Sequence, residues 1–340
     1  MTQIMRACLP LMMAALASAL PGGAAPRAAA ADLPCEFDNI ERIVAVGDVH
    51  GAYDRLIEIL KAADLLDARG RWAGGKTHLV QLGDVVDRGP DSRKVIDFYR
   101  RLEKDANSAG GRVHYLMGNH EAMRLLRDLR YVTPGEYDAF ATGDSKNLRQ
   151  QLAETVPEGQ RAKLIADTPL GMIELIQAFS PKGAYGSYLV GLNSVVRING
   201  ILFMHGGLSP TVAAMSCVTI NSTVRRELSA DLDKTRADPQ VSLVAREDGP
   251  LWYRGLAQEP DTFAPEFDKI LEAAHAKAIV VAHTVQTTGR VGVRFDNRVF
   301  LMDTGMQPEY VKGGRASALE IKGRTFTAIY VDGRQVLAGG

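Results

Sequence analysis

Short apolar runs alternate with amphipathic segments along the first third of the chain. Ile43–Val46, His78–Leu82 and Val113–Met117 are β-prone runs of the kind that a sheet buries. Between them, Tyr53–Leu66 and Asp91–Leu102 place apolar residues every three to four positions, which is the spacing of a helix with one buried face. Strands alternating with helices of this length predict βαβ units and a largely parallel sheet, so we expect an α/β fold.

The remainder of the chain divides into two parts. Residues from about 127 to 182 are polar, helix-prone and poor in strand signals, and they predict a helical insertion over the ends of the first strands. Strand patterns then return, and short turns between the last of them predict a second, more antiparallel sheet packed on the first. The runs are Ser194–Ile198, Ile201–Met204, Ala278–Ala282, Val291–Phe295, Val299–Met302, Ala316–Ile321 and Phe326–Val331.

The first 31 residues differ from the rest. A short start containing Arg6 precedes an apolar stretch from Ala7 to Leu20, and small residues follow as far as Ala31. This order predicts a cleavable secretory signal, which would leave a single domain over 32–340 in the periplasm or outside the cell. A disordered tail or an interfacial anchor is the alternative. The cleavage site stays open between Ala19, Ala25 and Ala31.

Charge and cysteine content bear on the binding partners of the protein and on the cellular compartment in which it folds. Lys+Arg and Asp+Glu both number 40, and this balance argues against a nucleic-acid partner. The apolar start is too short to predict stable membrane insertion. Cys35 and Cys217 would both remain after cleavage and could pair in an oxidising compartment, but two unpaired thiols are an equal alternative.

Polar residues cluster in the loops that follow the apolar runs. The first three loops read Gly-Asp48-Val-His50-Gly, Gly-Asp84-Val-Val-Asp87-Arg88-Gly and Gly-Asn119-His120-Glu121. Two later runs end at His205 and His283. Because the carboxyl ends of neighbouring strands in an α/β sheet meet at one crevice, we expect these side chains to converge. Carboxylate, amide and imidazole donors without a thiolate predict a site for divalent metals that promote hydrolysis.

Each loop taken singly has a simpler interpretation as a turn or a helix start. The other histidines, His78, His114 and His275, are interpreted as strand-edge or surface residues. The order of the five motifs and their shared position after strands make a joint coincidence improbable.

These motifs carry a family resemblance that covers most of the chain after residue 31. The chain resembles the calcineurin-like metallophosphoesterases and, within them, the phosphoprotein phosphatases, although Ala282 stands where that family often has Gly. Asp87 and Glu121 distinguish it from the similar diadenosine-polyphosphate hydrolases. The segments Gly249–Gly255 and Gly186–Leu189 resemble the bacterial Shewanella-like branch. The resemblance implies two packed mixed sheets flanked by helices around a βαβαβ metal-binding core.

The resemblance also implies a pair of divalent ions, manganese, iron or zinc, that activate a hydroxide for attack on phosphorus. Asp84 would bridge both ions. The implied ligands are Asp48 and His50 for the first ion, and Asn119, His205 and His283 for the second.

Substrate roles follow in the same way. Arg88 and Arg254 would clamp the phosphate, assisted by Asn119 and His120, because a guanidinium matches two phosphate oxygens at once. His120 would give a proton to the leaving oxygen, and Asp87 would orient it. Arg290 and Arg294 compete with Arg254 for the clamp role.

Neighbouring residues are predicted to have supporting roles. Glu121 would support its loop or cap the following helix rather than bind metal. Trp252 and Tyr253 would line the pocket wall or pack in the core. Asp303 would make a turn at a strand end, with a supporting role at the site as an alternative.

We therefore expect an exported two-metal phosphomonoesterase whose substrate is a phosphorylated protein or peptide carrying phosphoserine, phosphothreonine or phosphotyrosine. One alternative is a nucleotide or diadenosine-polyphosphate hydrolase. A second alternative is a non-catalytic, metal-stabilised module that binds phosphopeptides.

Overall fold

The computed structural model describes residues 33–339, so the predicted signal, residues 1–31, lies outside the described residues. The strands are β1 (Glu36–Phe37), β2 (Ile43–Val46), β3 (His78–Gln81), β4 (Arg112–Tyr115), β5 (Val195–Ile198), β6 (Ile201–Met204), β7 (Ala278–Val281), β8 (Gly292–Arg294), β9 (Val299–Leu301), β10 (Ser317–Lys322), β11 (Thr325–Tyr330) and β12 (Gly333–Ala338).

The helices are α1 (Tyr53–Ala62), α2 (Ser92–Ser108), α3 (Asn119–Leu125), α4 (Pro134–Asp138), α5 (Ser145–Glu154), α6 (Glu158–Asp167), α7 (Met172–Ala178), α8 (Gly186–Leu189), α9 (Cys217–Glu227), α10 (Leu232–Ala237), α11 (Gly255–Gln258) and α12 (Ala264–Ala273). Short 3₁₀ turns cover Pro239–Val241 and Asp261–Phe263.

Two six-stranded mixed sheets form the centre of the fold, as predicted. The first has the order β12-β11-β10-β2-β3-β4, and β2, β3 and β4 run parallel. The second has the order β1-β5-β6-β7-β9-β8, in which β6, β7 and β9 run parallel. One continuous cluster of buried apolar residues includes strands of both sheets and the helices that flank them. The predicted α/β class and two-sheet architecture are confirmed.

The C-terminal strands correct one prediction. We expected them in the second sheet, but β10 pairs antiparallel with β2, and β11 and β12 extend the first sheet from there. Turn signals specify that neighbouring strands form hairpins. They do not specify which open sheet edge receives the hairpin, and β2 offers the edge opposite β3.

Helix ends also differ from the sequence pattern. The first helix stops at Ala62, not Leu66, because Asp64 adopts a left-handed backbone with φ 55°. The second continues beyond Leu102 to Ser108 and stops before Gly110, whose φ is 79°. The region between 127 and 182 contains α4 to α7 and no strand among its described residues.

Two histidines, interpreted as strand-edge or surface residues, lie in strands but are not at the surface. His78 and His114 lie on the adjacent strands β3 and β4, and each is only 7% exposed. Nε2 of His114 is 3.0 Å from Nδ1 of His78, and Phe37 packs edge-on against both rings. His275 is exposed, as expected. The alternation of apolar and polar residues indicates on which face of a strand a side chain lies. It did not reveal the two-residue strand β1, whose Phe37 packs against both histidine rings.

The two cysteines form a disulfide. Cys35 and Cys217 have Cα atoms 6.2 Å apart and are separated by 182 residues in sequence. The bond connects the residue that precedes β1 to the first residue of α9, so the pairing that sequence left open is present in the structure.

Candidate active site

The site lies at one rim of the two sheets, where the loops after β2, β3, β4, β6, β7 and β9 meet. The loops approach each other closely. A Cβ on Gly83 would lie 2.6 Å from the backbone of Gly118, so glycine is required where the second and third loops touch. The cleft measures about 80 Å³ and is lined by Asp48, His50, Asp84, Arg88, Asn119, His120, Tyr131, Trp252, Arg254, His283, Asp303 and Tyr310.

Several residues at this rim have left-handed backbone conformations that residues other than glycine rarely adopt. Such conformations concentrate at functional sites, where surrounding structure holds them in place. Those with φ between 47° and 68° are His50, Asp84, Asp87, Arg88 and His283.

The first group of donors contains Asp48, His50 and Asp84. Nε2 of His50 is 3.8 Å from Oδ2 of Asp48 and 3.8 Å from Oδ2 of Asp84. Nδ1 of the same ring lies 2.9 Å from the carbonyl oxygen of Val86, to which it can only donate. Burial lowers the pKa of His50 to about 4, and nearby His120 adds to this effect. The ring is therefore neutral, and its Nε2 lone pair faces the two carboxylates.

The second group contains Asp84, Asn119, His205 and His283. Nδ1 of His205 is held by the carbonyl of Leu82 at 2.8 Å. Its Nε2 is 2.8 Å from Oδ1 of Asn119 and 3.3 Å from Oδ2 of Asp84. Nδ1 of His283 lies 3.2 Å from the same nitrogen. Because Nδ1 of His205 donates to Leu82, its Nε2 carries a lone pair that faces the acceptor oxygens of Asn119 and Asp84.

These donors fit divalent cations. The ligand atoms of two trios, His50 with Asp84 and His120, and Asp84 with His205 and His283, lie within 4.8 Å of one another. Nε2 of His283 is buried and has no hydrogen-bond partner among the described residues. A bound cation would accept the lone pairs of these donor atoms, which otherwise repel each other. The backbone carbonyls of Val86 and Leu82 hold the rings of His50 and His205 in the orientation that metal binding requires.

Electrostatics at the shared carboxylate agree with this geometry. Burial alone would raise the pKa of Asp84, but the imidazoles of His205 and His120 outweigh it and hold that pKa well below its usual range. Burial, followed by the nearby Asp303 and Asp84, raises the pKa of Asp48 well above its usual range. Burial also raises the pKa of Asp303, to about 6. Acids gathered in this way favour a bound cation.

His120 belongs to a separate chain of hydrogen bonds. Its Nδ1 is 2.7 Å from Oδ2 of Asp87, and its Nε2 is 3.8 Å from Oδ2 of Asp84. Burial would lower the pKa of His120, but Asp84 and Asp87 outweigh it and raise that pKa. Arg124, fully buried, donates to Asp87 and to Glu136. His120 is therefore oriented and favoured in its protonated form.

Arg88 is held by aromatic rings. Its guanidinium carbon lies 3.7 Å from the ring centre of Tyr131 and 4.2 Å from that of Tyr310. The Nε atom is buried without a hydrogen-bond partner among the described residues. The two rings fix the plane of the guanidinium by cation–π contact, and the group lines the cleft.

The second predicted phosphate-binding arginine, Arg254, also lines the cleft. Its Nη1 donates to the carbonyl of His283 at 2.7 Å and to Oγ1 of Thr284 at 3.2 Å. The competitors Arg290 and Arg294 are directed to Gln335 and to the segment around Asp261, away from the lining of the cleft. The geometry thus favours Arg254 over both.

Glu121 supports the loops, in agreement with the sequence expectation. Its carboxylate accepts hydrogen bonds from the backbone N–H groups of Asp84, Val85 and Gly118 at 2.8–2.9 Å, and from the hydroxyl of Tyr115 at 3.0 Å. The second and third loops are therefore held together by one buried side chain.

The structure brings together every predicted site residue: Asp48, His50, Asp84, Asp87, Arg88, Asn119, His120, His205, Arg254 and His283. Their individual roles stay predictions. Trp252 lines the cleft, edge-on to His283, whereas Tyr253 packs against Gly207.

Sequence reasoning missed Tyr131, Tyr310, Arg124 and Glu136. Arg124 could have been found, because it lies four residues after His120 on the same face of α3. The two tyrosines come from irregular segments far apart in sequence and carried no local signal.

Comparison with known proteins agrees with this geometry. A family model described as calcineurin-like phosphoesterase matches residues 41–287. The chain belongs to the calcineurin-like phosphoesterase family. Members of that family use divalent metals, and the two donor groups that share Asp84 are of the dinuclear type.

Similar proteins include Shewanella-like phosphatases. The chain is 31% identical over 278 residues to Shewanella-like protein phosphatase 1 of Plasmodium berghei, covering 80% of this chain and 69% of that protein. It is 29% identical to Shewanella-like protein phosphatase 2 of Arabidopsis thaliana, covering 85% and 77%. The crystal structure of a cold-active protein-tyrosine phosphatase from a psychrophilic Shewanella superimposes with a TM-score of 0.71 at 31% identity, covering 94% of this chain and 87% of that one.

Within residues 33–339, no helix combines the length and the apolar character that crossing a membrane requires.

Proposed function

We propose that this protein is a divalent-metal-dependent phosphomonoesterase that acts on phosphorylated proteins. One observation carries the proposal: Oδ2 of Asp84 lies 3.8 Å from Nε2 of His50 in the first donor group and 3.3 Å from Nε2 of His205 in the second. A carboxylate that lies near the imidazoles of both donor groups is suited to bridge two cations. The first ion would be held by Asp48, His50 and Asp84, and the second by Asp84, Asn119, His205 and His283.

Bound divalent ions supply a nucleophile at neutral pH and neutralise charge on the transferred phosphate. The chain itself positions the substrate. Arg88 and Arg254 line the cleft and offer planar donor groups to phosphate oxygens. Cation–π contacts with the rings of Tyr131 and Tyr310 orient the guanidinium of Arg88 before the substrate binds. This reduces the conformational entropy that the arginine loses on binding.

His120 provides the proton for the leaving oxygen. Its Nδ1 is engaged by Asp87, so the Nε2 proton is the one available to the cleft. Asp84 and Asp87 raise the pKa of this ring, which favours its protonated form, and burial of Asp87 and Arg124 prevents the pair from rotating away. Transfer of that proton releases the alcohol or phenol of the substrate.

The phosphoprotein substrate class is supported by the similar proteins, whose names describe protein phosphatases and a protein-tyrosine phosphatase. The proposal is tested with metal-depleted protein spanning residues 32–340. We expect no turnover after chelation and recovery on addition of Mn²⁺, Fe²⁺ or Zn²⁺, measured on peptides carrying phosphotyrosine, phosphoserine or phosphothreonine.

Two comparisons complete this experiment. Asp84→Asn should abolish turnover, whereas Asp268→Asn, an exposed acid on α12, should leave it unchanged. Faster hydrolysis of diadenosine tetraphosphate than of every phosphopeptide would replace the proposal with a nucleotide-hydrolase function. Phosphopeptide binding without metal-dependent hydrolysis would indicate the non-catalytic module.

We also propose that the protein acts in the periplasm or outside the cell. The signal-like pattern of residues 1–31 supports this, as does the Cys35–Cys217 disulfide, because such bonds persist in oxidising compartments. Cell fractionation with N-terminal sequencing of the mature protein tests it. Activity confined to the cytoplasm, with residue 1 retained, would reject it.

A further inference from the structure

Glu136 is a buried acid to which neither the metal-ligand set nor the proton transfer assigns a task. It lies on α4, in the helical region between 127 and 182, and is 1% exposed. Its Oε2 accepts a hydrogen bond from the N–H of Thr133 at 3.1 Å, which caps the start of α4. Capping occupies only one of the two carboxylate oxygens. The other oxygen, Oε1, makes its contacts outside this helix.

Oε1 of Glu136 helps to hold the backbone of Asp87. It accepts a hydrogen bond from the N–H of Asp87 at 3.3 Å and another from the hydroxyl of Ser92. Oγ of Ser92 in turn accepts from the same N–H at 3.1 Å. Asp87 has a left-handed backbone with φ 68°, a conformation that residues other than glycine keep only when surrounding contacts hold it. The two acceptors supply such contacts.

Arg124 joins the same oxygen to the side chain of Asp87. Its Nη2 donates to Oε1 of Glu136 at 2.9 Å and to Oδ1 of Asp87. Oδ2 of Asp87 is the atom that contacts Nδ1 of His120. Nε and Nη1 of Arg124 are buried without a hydrogen-bond partner among residues 33–339, so the guanidinium is hydrogen-bonded through Nη2 alone. Removal of the Glu136 carboxylate would therefore take away one of the two contacts that orient it.

Arg124 has a second contact with the helical region. Its guanidinium carbon lies 4.9 Å from the ring centre of Phe179, the residue directly after α7. Glu136 and Phe179 both belong to the segment between 127 and 182, whereas Asp87 and His120 belong to the loops after β3 and β4. A continuous series of contacts thus runs from this segment through Arg124 to the proton donor.

We propose that Glu136 is a positioning residue for the proton transfer. Acting through Arg124 and through the backbone of Asp87, it holds the imidazole of His120 in the orientation that reaches the leaving oxygen. The helical region between 127 and 182 is then part of the proton-transfer apparatus and not only a cover over the strand ends. This inference rests on the proposed function, in which His120 gives the proton.

Glu136→Gln tests the proposal, because it keeps the size of the side chain and an acceptor for Thr133 while removing the charge that faces Arg124. The Mn²⁺-loaded variant is assayed on phenyl phosphate, whose leaving group needs a proton, and on p-nitrophenyl phosphate, whose leaving group scarcely does. We expect kcat for phenyl phosphate to fall by about 10- to 100-fold, because displacement of a catalytic group by about 1 Å can cost that much. For p-nitrophenyl phosphate, kcat should change little.

The ratio of the two kcat values separates positioning from a merely structural role. Loss of folded protein lowers both rates by the same factor and leaves their ratio unchanged. Adding Glu136→Gln to His120→Asn should not change the ratio further, since the group that Glu136 positions is already absent. Asp138→Asn, an exposed acid on the same helix, is the matched control and should keep the wild-type ratio.

If Glu136→Gln yields no folded protein, Ser92→Ala takes its place. It removes the hydroxyl that links Glu136 to the N–H of Asp87, and the ratio should shift in the same direction.

An unchanged ratio in the folded variant, or a further change of the ratio on top of His120→Asn, would overturn the inference. The proposed function would still stand in either case, because the wild type would remain a metal-dependent phosphatase. Absence of metal-dependent hydrolysis by the wild type would instead reject the proposed function.

Discussion

Nδ1 of His120 lies 2.7 Å from Oδ2 of Asp87, and this contact fixes the orientation of the imidazole against a fully buried carboxylate. Asp87 would be costly to bury alone. Burial acts to raise its pKa, but Arg124 and His120 outweigh that effect and lower it, so the acid stays charged. Orientation and protonation of His120 therefore depend on one short chain of contacts.

Replacing His120 with Asn should lower kcat by about 10²–10⁴ on substrates with alkyl or phenyl leaving groups, since general acid catalysis is lost. The loss should be much smaller with p-nitrophenyl phosphate, whose leaving group scarcely needs a proton. Steady-state kinetics on the two substrate types measures the difference. The exposed His275→Asn provides the control, and equal losses on both substrates would contradict the assigned role.

Replacing Arg124 with Met should destabilise the fold by about 3–5 kcal/mol, because Asp87 and Glu136 would remain buried without their positive partner. Urea unfolding measures this change. Arg130→Met removes an exposed ion pair with Asp128 and should alter the free energy of unfolding by less than about 0.5 kcal/mol. A similar small effect for both variants would show that the buried network contributes little.

Replacing Tyr131 or Tyr310 with Leu should raise KM by about 2- to 30-fold, the equivalent of one cation–π contact to Arg88. The kcat value should change less, because neither ring takes part in proton transfer. Phe at the same positions keeps the ring and should restore wild-type KM. Equal effects of Leu and Phe would assign the role to the hydroxyl groups instead.

Replacing both Cys35 and Cys217 with Ser should destabilise the protein by about 2–5 kcal/mol, because the disulfide closes a long loop in the unfolded chain. Thermal unfolding with and without reductant measures this. Reductant should lower the Tm of the wild type and leave the double variant unchanged. A reductant effect of the same size in both proteins would indicate another cause.

Stability should fall as the pH drops below about 6.5, the usual histidine value in unfolded chains. Burial and then Arg112 lower the pKa of His78 to about 4, and burial and then His78 lower that of His114 well below its usual range. The unfolded chain therefore binds more protons between these values, which favours unfolding. Urea midpoints from pH 7.5 to 4.5 should fall less steeply in the double variant His78→Asn/His114→Gln. Parallel curves would exclude this pair as the source.

Local pattern was sufficient for much of the first half of the site. Asp48, Asp84 and Asn119 follow three adjacent parallel strands, and their convergence follows from sheet geometry alone. Helix and strand positions were also readable, because buried faces impose a period of 3.6 or 2 on the chain. Boundaries were less accurate, since a single left-handed residue such as Asp64 ends a helix without changing that period.

The amino-acid order therefore specified the elements, the motifs and the donor chemistry. The sequence also predicted that His205 and His283 join the site, whereas only packing showed that the segment after β9 brings Tyr310 and Asp303 into the same cleft. The partner of Cys35 and the sheet that received β10 were settled in the same way. These relationships join segments up to hundreds of residues apart, and periodicity carries information only over one turn of helix or one strand.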